Sequence, residues 1–135
     1  MSENQKLLEA AWKARENAIA PYSFYKVGSA LLCKDGTVVP GCNVEYPSCG
    51  LTICAERCSL GSAVASGHKD FIKIAVVSKN GGAPCGMCRQ ALYDRCGDIP
   101  VIVSDTENNI TEFRTGELLP HPYTADVLSA GAEKP

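Results

Sequence analysis

Two short β-branched runs, Ile72-Lys73-Ile74-Ala75-Val76-Val77 and Pro100-Val101-Ile102-Val103-Ser104, flank a segment that reads as a helix from Cys85 to about Cys96. Each run is long enough for a buried strand and too short for a helix. Strands that alternate with helices in this way build an α/β sheet whose faces the helices cover.

The rest of the chain extends that sheet. Leu7, Leu8, Ala11, Trp12, Arg15 and Ile19 have helical spacing, and Pro21 stops the pattern, which predicts a first helix over Glu3 to Ala20. Lys26 to Cys33 and Val38 to Asn43 bracket Asp35-Gly36, a hairpin signal. A polar loop is expected over Gly41 to Thr52, then an alanine-rich helix from Ile53 to Ser66 that Gly67-His68 ends. Asn108-Asn109 turns the chain into a last strand, Ile110 to Arg114, with a short helical tail near Gly116 to Leu119. The order α-ββ-α-β-α-β-β predicts an α/β fold of three layers, α-β-α, with one central mixed five-stranded sheet, and a single domain over residues 1–135.

Charge and hydropathy narrow the partners. Thirteen basic and 15 acidic side chains give a net charge of -2 with no basic block, which argues against a grip on nucleic acid and favours a small ligand. No stretch reaches the roughly 18 apolar residues of a membrane span. The polar start Met1-Ser2-Glu3-Asn4-Gln5-Lys6 lacks the pattern of an export leader, so a cytoplasmic location is expected. Eight cysteines in a reducing compartment then point to metal or redox chemistry, not to a disulfide framework.

Two segments concentrate that chemistry: Cys54-Ala55-Glu56-Arg57 and Pro84-Cys85-Gly86-Met87-Cys88-Arg89-Gln90. Both open predicted helices, where free backbone N–H groups and the positive dipole end favour a thiolate. Cys85 and Cys88 share one helical turn and can hold one zinc ion, with Cys54 as a third ligand. Three protein ligands leave a fourth position open, as in catalytic zinc sites. A Cys-x-x-Cys pair by itself also fits a thiol-redox module or a closed structural zinc site, but that reading leaves Cys54-Ala55-Glu56 without a role.

These motifs, with Pro21-Tyr22-Ser23, Val27-Gly28, Gly41-Cys42-Asn43-Val44-Glu45 and Glu117-Leu118-Leu119-Pro120, resemble the cytidine deaminase family in its small, homotetrameric, three-cysteine form. The resemblance implies hydrolytic deamination of cytidine and 2′-deoxycytidine to uridine and 2′-deoxyuridine, with release of ammonia, in pyrimidine salvage. It assigns one Zn2+ per subunit to Cys54, Cys85 and Cys88, and proton transfer to Glu56. Because three thiolates and one zinc sum to -1, a nearby cation is expected, and the resemblance offers Arg57, with Gln90 as a second hydrogen-bond donor to the sulfurs. Asn43 and Glu45 correspond to the pair that grips the ribose, and the backbone N–H of Ala55 to the donor for the pyrimidine carbonyl. Tyr25 and Tyr123 stand where the family has phenylalanines against the base, Tyr123 reaching in from a neighbouring subunit.

The sequence also departs from the family pattern. Cys49 replaces a common tyrosine, Tyr46-Pro47 replaces Asn-Ala, and the loop Lys79 to Ala83 is short. Blasticidin S deaminases share the cysteine motifs, and Tyr123 leans toward that alternative substrate class. Glu45 and Pro21-Tyr22-Ser23 lean toward cytidine. Cys33, Cys42, Cys58 and Cys96 read as packing residues, and His68 and His121 as exposed loop residues outside any ligand motif.

Overall fold

The computed structural model describes residues 1–133. Its elements are α1 (Glu3–Arg15), β1 (Gly28–Cys33), β2 (Val38–Cys42), a short 3-10 turn (Cys49–Leu51), α2 (Ala55–Ala65), β3 (Phe71–Val77), α3 (Gly86–Cys96), β4 (Pro100–Ser104), β5 (Ile110–Arg114), α4 (Thr115–Leu118) and α5 (Ala125–Gly131). The five strands form one sheet in the order β2-β1-β3-β4-β5. Only β3 and β4 run parallel, joined across α3, and the other neighbours are antiparallel, so the sheet is mixed as expected.

Alternation along the strands builds a core on each face. Ala30, Leu32, Ala75, Val77 and Ile102 pack with Leu7, Leu8 and Ala11 of α1. Leu31, Ile74, Val76, Val101 and Val103 pack with Leu60 and Ala63 of α2 and Leu92 of α3 on the other. The three layers are therefore α1, the sheet, and α2 with α3. Among the described residues no helix is long and apolar enough to cross a membrane.

Several expected boundaries move for identifiable reasons. The first helix stops at Arg15, not Ala20: the Asn17 and Ala18 amides make tight turns onto the Ala14 and Arg15 carbonyls, and Ile19 pairs with Val44 instead. Ile53 also pairs with Val44, so the second helix starts at Ala55 with Cys54 as its cap. Gly41 and Cys42, assigned to a loop and a strand at once by the sequence pattern, belong to β2. Helix α5 has no buried residue and so no apolar stripe by which the sequence marks it.

Candidate active site

Cys54 caps α2 and Cys85 caps α3, both with extended backbone (ψ 153° and 167°) and neither using its side chain to cap the helix. The two sulfurs are therefore free to face each other, 3.8 Å apart. Cys88, one turn into α3 and fully buried, completes a group whose three sulfurs all lie within 4.8 Å of one another. Tetrahedral zinc with Zn–S bonds of about 2.3 Å needs sulfurs about 3.8 Å apart, so this donor set fits zinc in both chemistry and spacing. Among the described residues no other cluster of three such ligands occurs.

The surroundings favour a thiolate. The adjacent Cys88 thiol, and after it Arg57, draw the Cys54 thiol down to about 5, while the same exchange with Cys54, together with burial, pushes Cys88 up. Arg57 donates from Nη2 to Cys54 Sγ at 3.5 Å. Its Nε is buried without a hydrogen-bond partner, leaving a donor in reserve next to the sulfurs.

Beside the sulfurs lies a cavity of about 280 Å3 that Tyr25, Asn43, Glu45, Ala55 and Glu56 help to line. Glu56, in the first turn of α2, is 4% exposed, and its burial, together with the Cys54 charge, pushes the carboxyl up to about 7. Ala55 is the first residue of the helix, and its N–H belongs to the set that a helix N-terminus leaves unpaired. The Ser29 hydroxyl, buried in β1, donates to the Ala55 carbonyl at 2.7 Å and ties this turn to the sheet.

Asn43 and Glu45 reach the cavity already engaged. Asn43 Oδ1 accepts from the Val27 N–H (2.9 Å) and its Nδ2 donates to the Tyr25 carbonyl (2.8 Å). Glu45 accepts from the Ser23 hydroxyl and from the Tyr22 and Ser23 N–H groups, contacts that hold its carboxyl below the usual range. Of the roughly four lone-pair sites on a carboxylate, about one is left for a ligand.

Two residues that the motifs nominate lie elsewhere. Gln90 does not reach the sulfurs: its Nε2 donates to Asp94 and to the Tyr123 carbonyl (2.7 Å), tying α3 to the segment before α5. Tyr123 does not line the cavity of its own chain, but stands 57% exposed in a groove with Tyr93 and Leu128. Cys49, in the 3-10 turn, is exposed and also off the cavity wall, whereas Thr52 is on it. His68 sits half-buried beside Asp35 (3.7 Å), His121 is exposed, and neither joins the sulfur cluster.

Arg89 has a part that the motif alone does not disclose. Its Nε donates to the Pro84 carbonyl (2.7 Å) and its Nη1 to the Leu118 carbonyl (3.3 Å), fixing the backbone that leads into Cys85. The signal is an arginine directly after Cys88, although nothing in the sequence names carbonyls as its partners.

Residues 1–104 match the model of the cytidine and deoxycytidylate deaminase zinc-binding region. A cytidine deaminase of Halalkalibacterium halodurans is 44% identical over 130 residues, covering 94% of this chain and 98% of that protein. A blasticidin-S deaminase of Bacillus cereus is 32% identical over 133 residues, covering 90% and 94%. The crystal structure of cytidine deaminase from Burkholderia pseudomallei superposes with a TM-score of 0.87 at 43% identity, over 91% of this chain and all of that one. Sulfur cluster, sheet order and sequence thus agree, and the chain belongs to the cytidine and deoxycytidylate deaminase zinc-binding family.

Proposed function

We propose that this protein is a zinc-dependent cytidine deaminase that hydrolyses cytidine and 2′-deoxycytidine to uridine and 2′-deoxyuridine with release of ammonia. The observation that carries the reading is the buried Glu56 carboxyl, two residues from one thiol of a zinc-sized three-sulfur cluster and on the wall of the same cavity. Cys54, Cys85 and Cys88 would hold the zinc, which when bound would supply the Lewis acidity that makes water a nucleophile at neutral pH.

The chain's own residues do the rest. A Glu56 carboxylate oxygen takes a proton from the attacking water and delivers it to the ring nitrogen beside the carbon under attack. The second proton, from the oxygen now bonded to that carbon, passes by way of Glu56 to the amine; the carbon–nitrogen bond breaks and ammonia leaves. Burial, which pushes the Glu56 carboxyl up, makes it readier to take up a proton than an exposed carboxylate is. The Ala55 N–H donates to the pyrimidine carbonyl, Asn43 and Glu45 take the sugar hydroxyls with their remaining bonding capacity, and the Tyr25 ring walls the base.

The same reading assigns the enzyme to a homotetramer in which Tyr123 completes a neighbour's site, and to cytoplasmic pyrimidine salvage.

The test is the loss of cytidine absorbance with the wild type and with Glu56→Gln. We expect Glu56→Gln to keep its zinc and to lose about 10²–10⁴-fold in kcat, the span of a general acid–base contribution. Wild-type turnover by a zinc-loaded Glu56→Gln would overturn the assignment. Fast turnover of blasticidin S with none of cytidine, in the same assay, would move the substrate to the antibiotic class.

A further inference from the structure

The Tyr25 side chain touches two parts of the site. Its ring lines the cavity, while its hydroxyl lies against the loop between β3 and Cys85, contacting Asn80 Oδ1 and, at 3.0 Å, Ser78 Oγ. Its backbone carbonyl accepts from Asn43 Nδ2 on the sugar side.

The protons can be assigned. A phenol has one, which goes to Asn80 Oδ1, an atom that can only accept. The Ser78 hydroxyl proton then fills the contact with the Tyr25 oxygen, and the Ser78 oxygen accepts from the Gly81 and Gly82 amides at 3.1 and 3.3 Å. Both hydroxyl protons and both acceptor sites of the Ser78 oxygen then have a partner, and a longer Ser78 Oγ–Asn80 Oδ1 contact of 3.5 Å closes the triangle. Ser78 is 1% exposed, and its own N–H donates to the Ser104 carbonyl (3.2 Å), so the group is rooted in the sheet. A Cβ on Gly82 would come within 2.8 Å of the Tyr25 hydroxyl, so a glycine there lets loop and ring approach.

We propose that the Tyr25 hydroxyl, with Ser78 and Asn80, forms a strut across the cavity that fixes the distance between its sugar side at Asn43 and its metal side at Cys85. Tyr25 is in this respect a positioning residue, distinct from any stacking of its ring on the base. A nucleoside is held at both ends, so a fixed span favours it only when the two ends are correctly separated. The inference rests on the deaminase reading for its kinetic part and on the hydrogen bonds alone for its structural part.

The experiment compares zinc-loaded wild type, Tyr25→Phe, Asn80→Ala and the double variant. Tyr25→Phe keeps the ring and removes only the hydroxyl. We expect KM for cytidine to rise about threefold to tenfold, the range a lost neutral hydrogen bond gives, with kcat changed less than twofold and zinc content retained. Asn80→Ala should act similarly, and the double variant no more than the stronger single change, because both break one strut. In substrate-free protein, amide exchange at Gly81 and Gly82 should speed up about tenfold in Tyr25→Phe. Wild-type KM and exchange in Tyr25→Phe, or fully additive effects in the double variant, would overturn the strut. Absence of cytidine turnover in the wild type would instead overturn the deaminase reading, and the exchange rates would still judge the strut.

Discussion

Among the described residues, Arg57 is the one cation in hydrogen-bond contact with the sulfur cluster, at 3.5 Å from Cys54 Sγ. Three thiolates around one zinc carry net negative charge, and a guanidinium bonded to a sulfur offsets it and holds that sulfur in place. Arg57→Ala is therefore expected to release zinc to a chromogenic chelator at about 10- to 100-fold lower chelator concentration, while remaining folded by circular dichroism. Equal zinc retention would mean that Arg57 contributes only packing. The contrast with Gln90 shows which side-chain contacts are legible in the sequence. Arg57 lies three residues after Cys54, near one face of α2, whereas Gln90 lies two after Cys88, which on a helix turns it to the opposite side. Spacing thus points to the first contact and against the second. The partners of Glu45 are not readable at all, because they come from a turn 22 and 23 residues away.

Between elements, β2 and α2 meet without room for a side chain. A Cβ on Gly41 would lie 2.4 Å from the Ala55 carbonyl oxygen, 2.6 Å from the Ser59 nitrogen and 2.8 Å from Ser29 Oγ. Two of these are backbone atoms of the helix that carries Glu56, so the helix itself would have to move. Gly41→Ala is expected to cost about 1–3 kcal/mol, as overpacking does, by urea unfolding, and to lower kcat more than the stability loss alone would suggest. An unchanged denaturation midpoint would contradict the close approach. The strands are legible because β3 and β4 are apolar runs bounded by turn residues, and the hairpin because Asp35-Gly36 separates two such runs. Helix ends are less so: Ala18 and Ile19 continue the apolar period of α1, yet the Ile19 backbone bonds to the Asn43 carbonyl and the Glu45 amide in a bridge beside Val44 instead of adding a helical turn. Helix α5 lies on the surface with nothing buried, and periodicity has no purchase on such a segment.

For the molecule as a whole, large apolar side chains remain in solvent: Phe24 at 86%, Met87 at 66%, Leu128 at 59% and Tyr123 at 57%. Phe24 also sits at φ 57°, a conformation that non-glycine residues seldom adopt without a reason. The proposed homotetramer would bury such a surface against other copies, and light scattering is expected to give a mass four times the 14.3 kDa of the chain. Tyr123→Ala should then raise KM for cytidine although Tyr123 is off its own chain's cavity; a fully active monomer would contradict both. The two outer strands limit how such copies can meet. On the free side of β2 stands Pro40, exposed and without an N–H to offer. At the opposite edge β5 exposes Ile110, Thr111, Glu112 and Arg114, alternating charge into a five-residue strand. Neither border invites another strand, so the sheet is guarded against growing from molecule to molecule into a fibre, and association is left to the helices and loops.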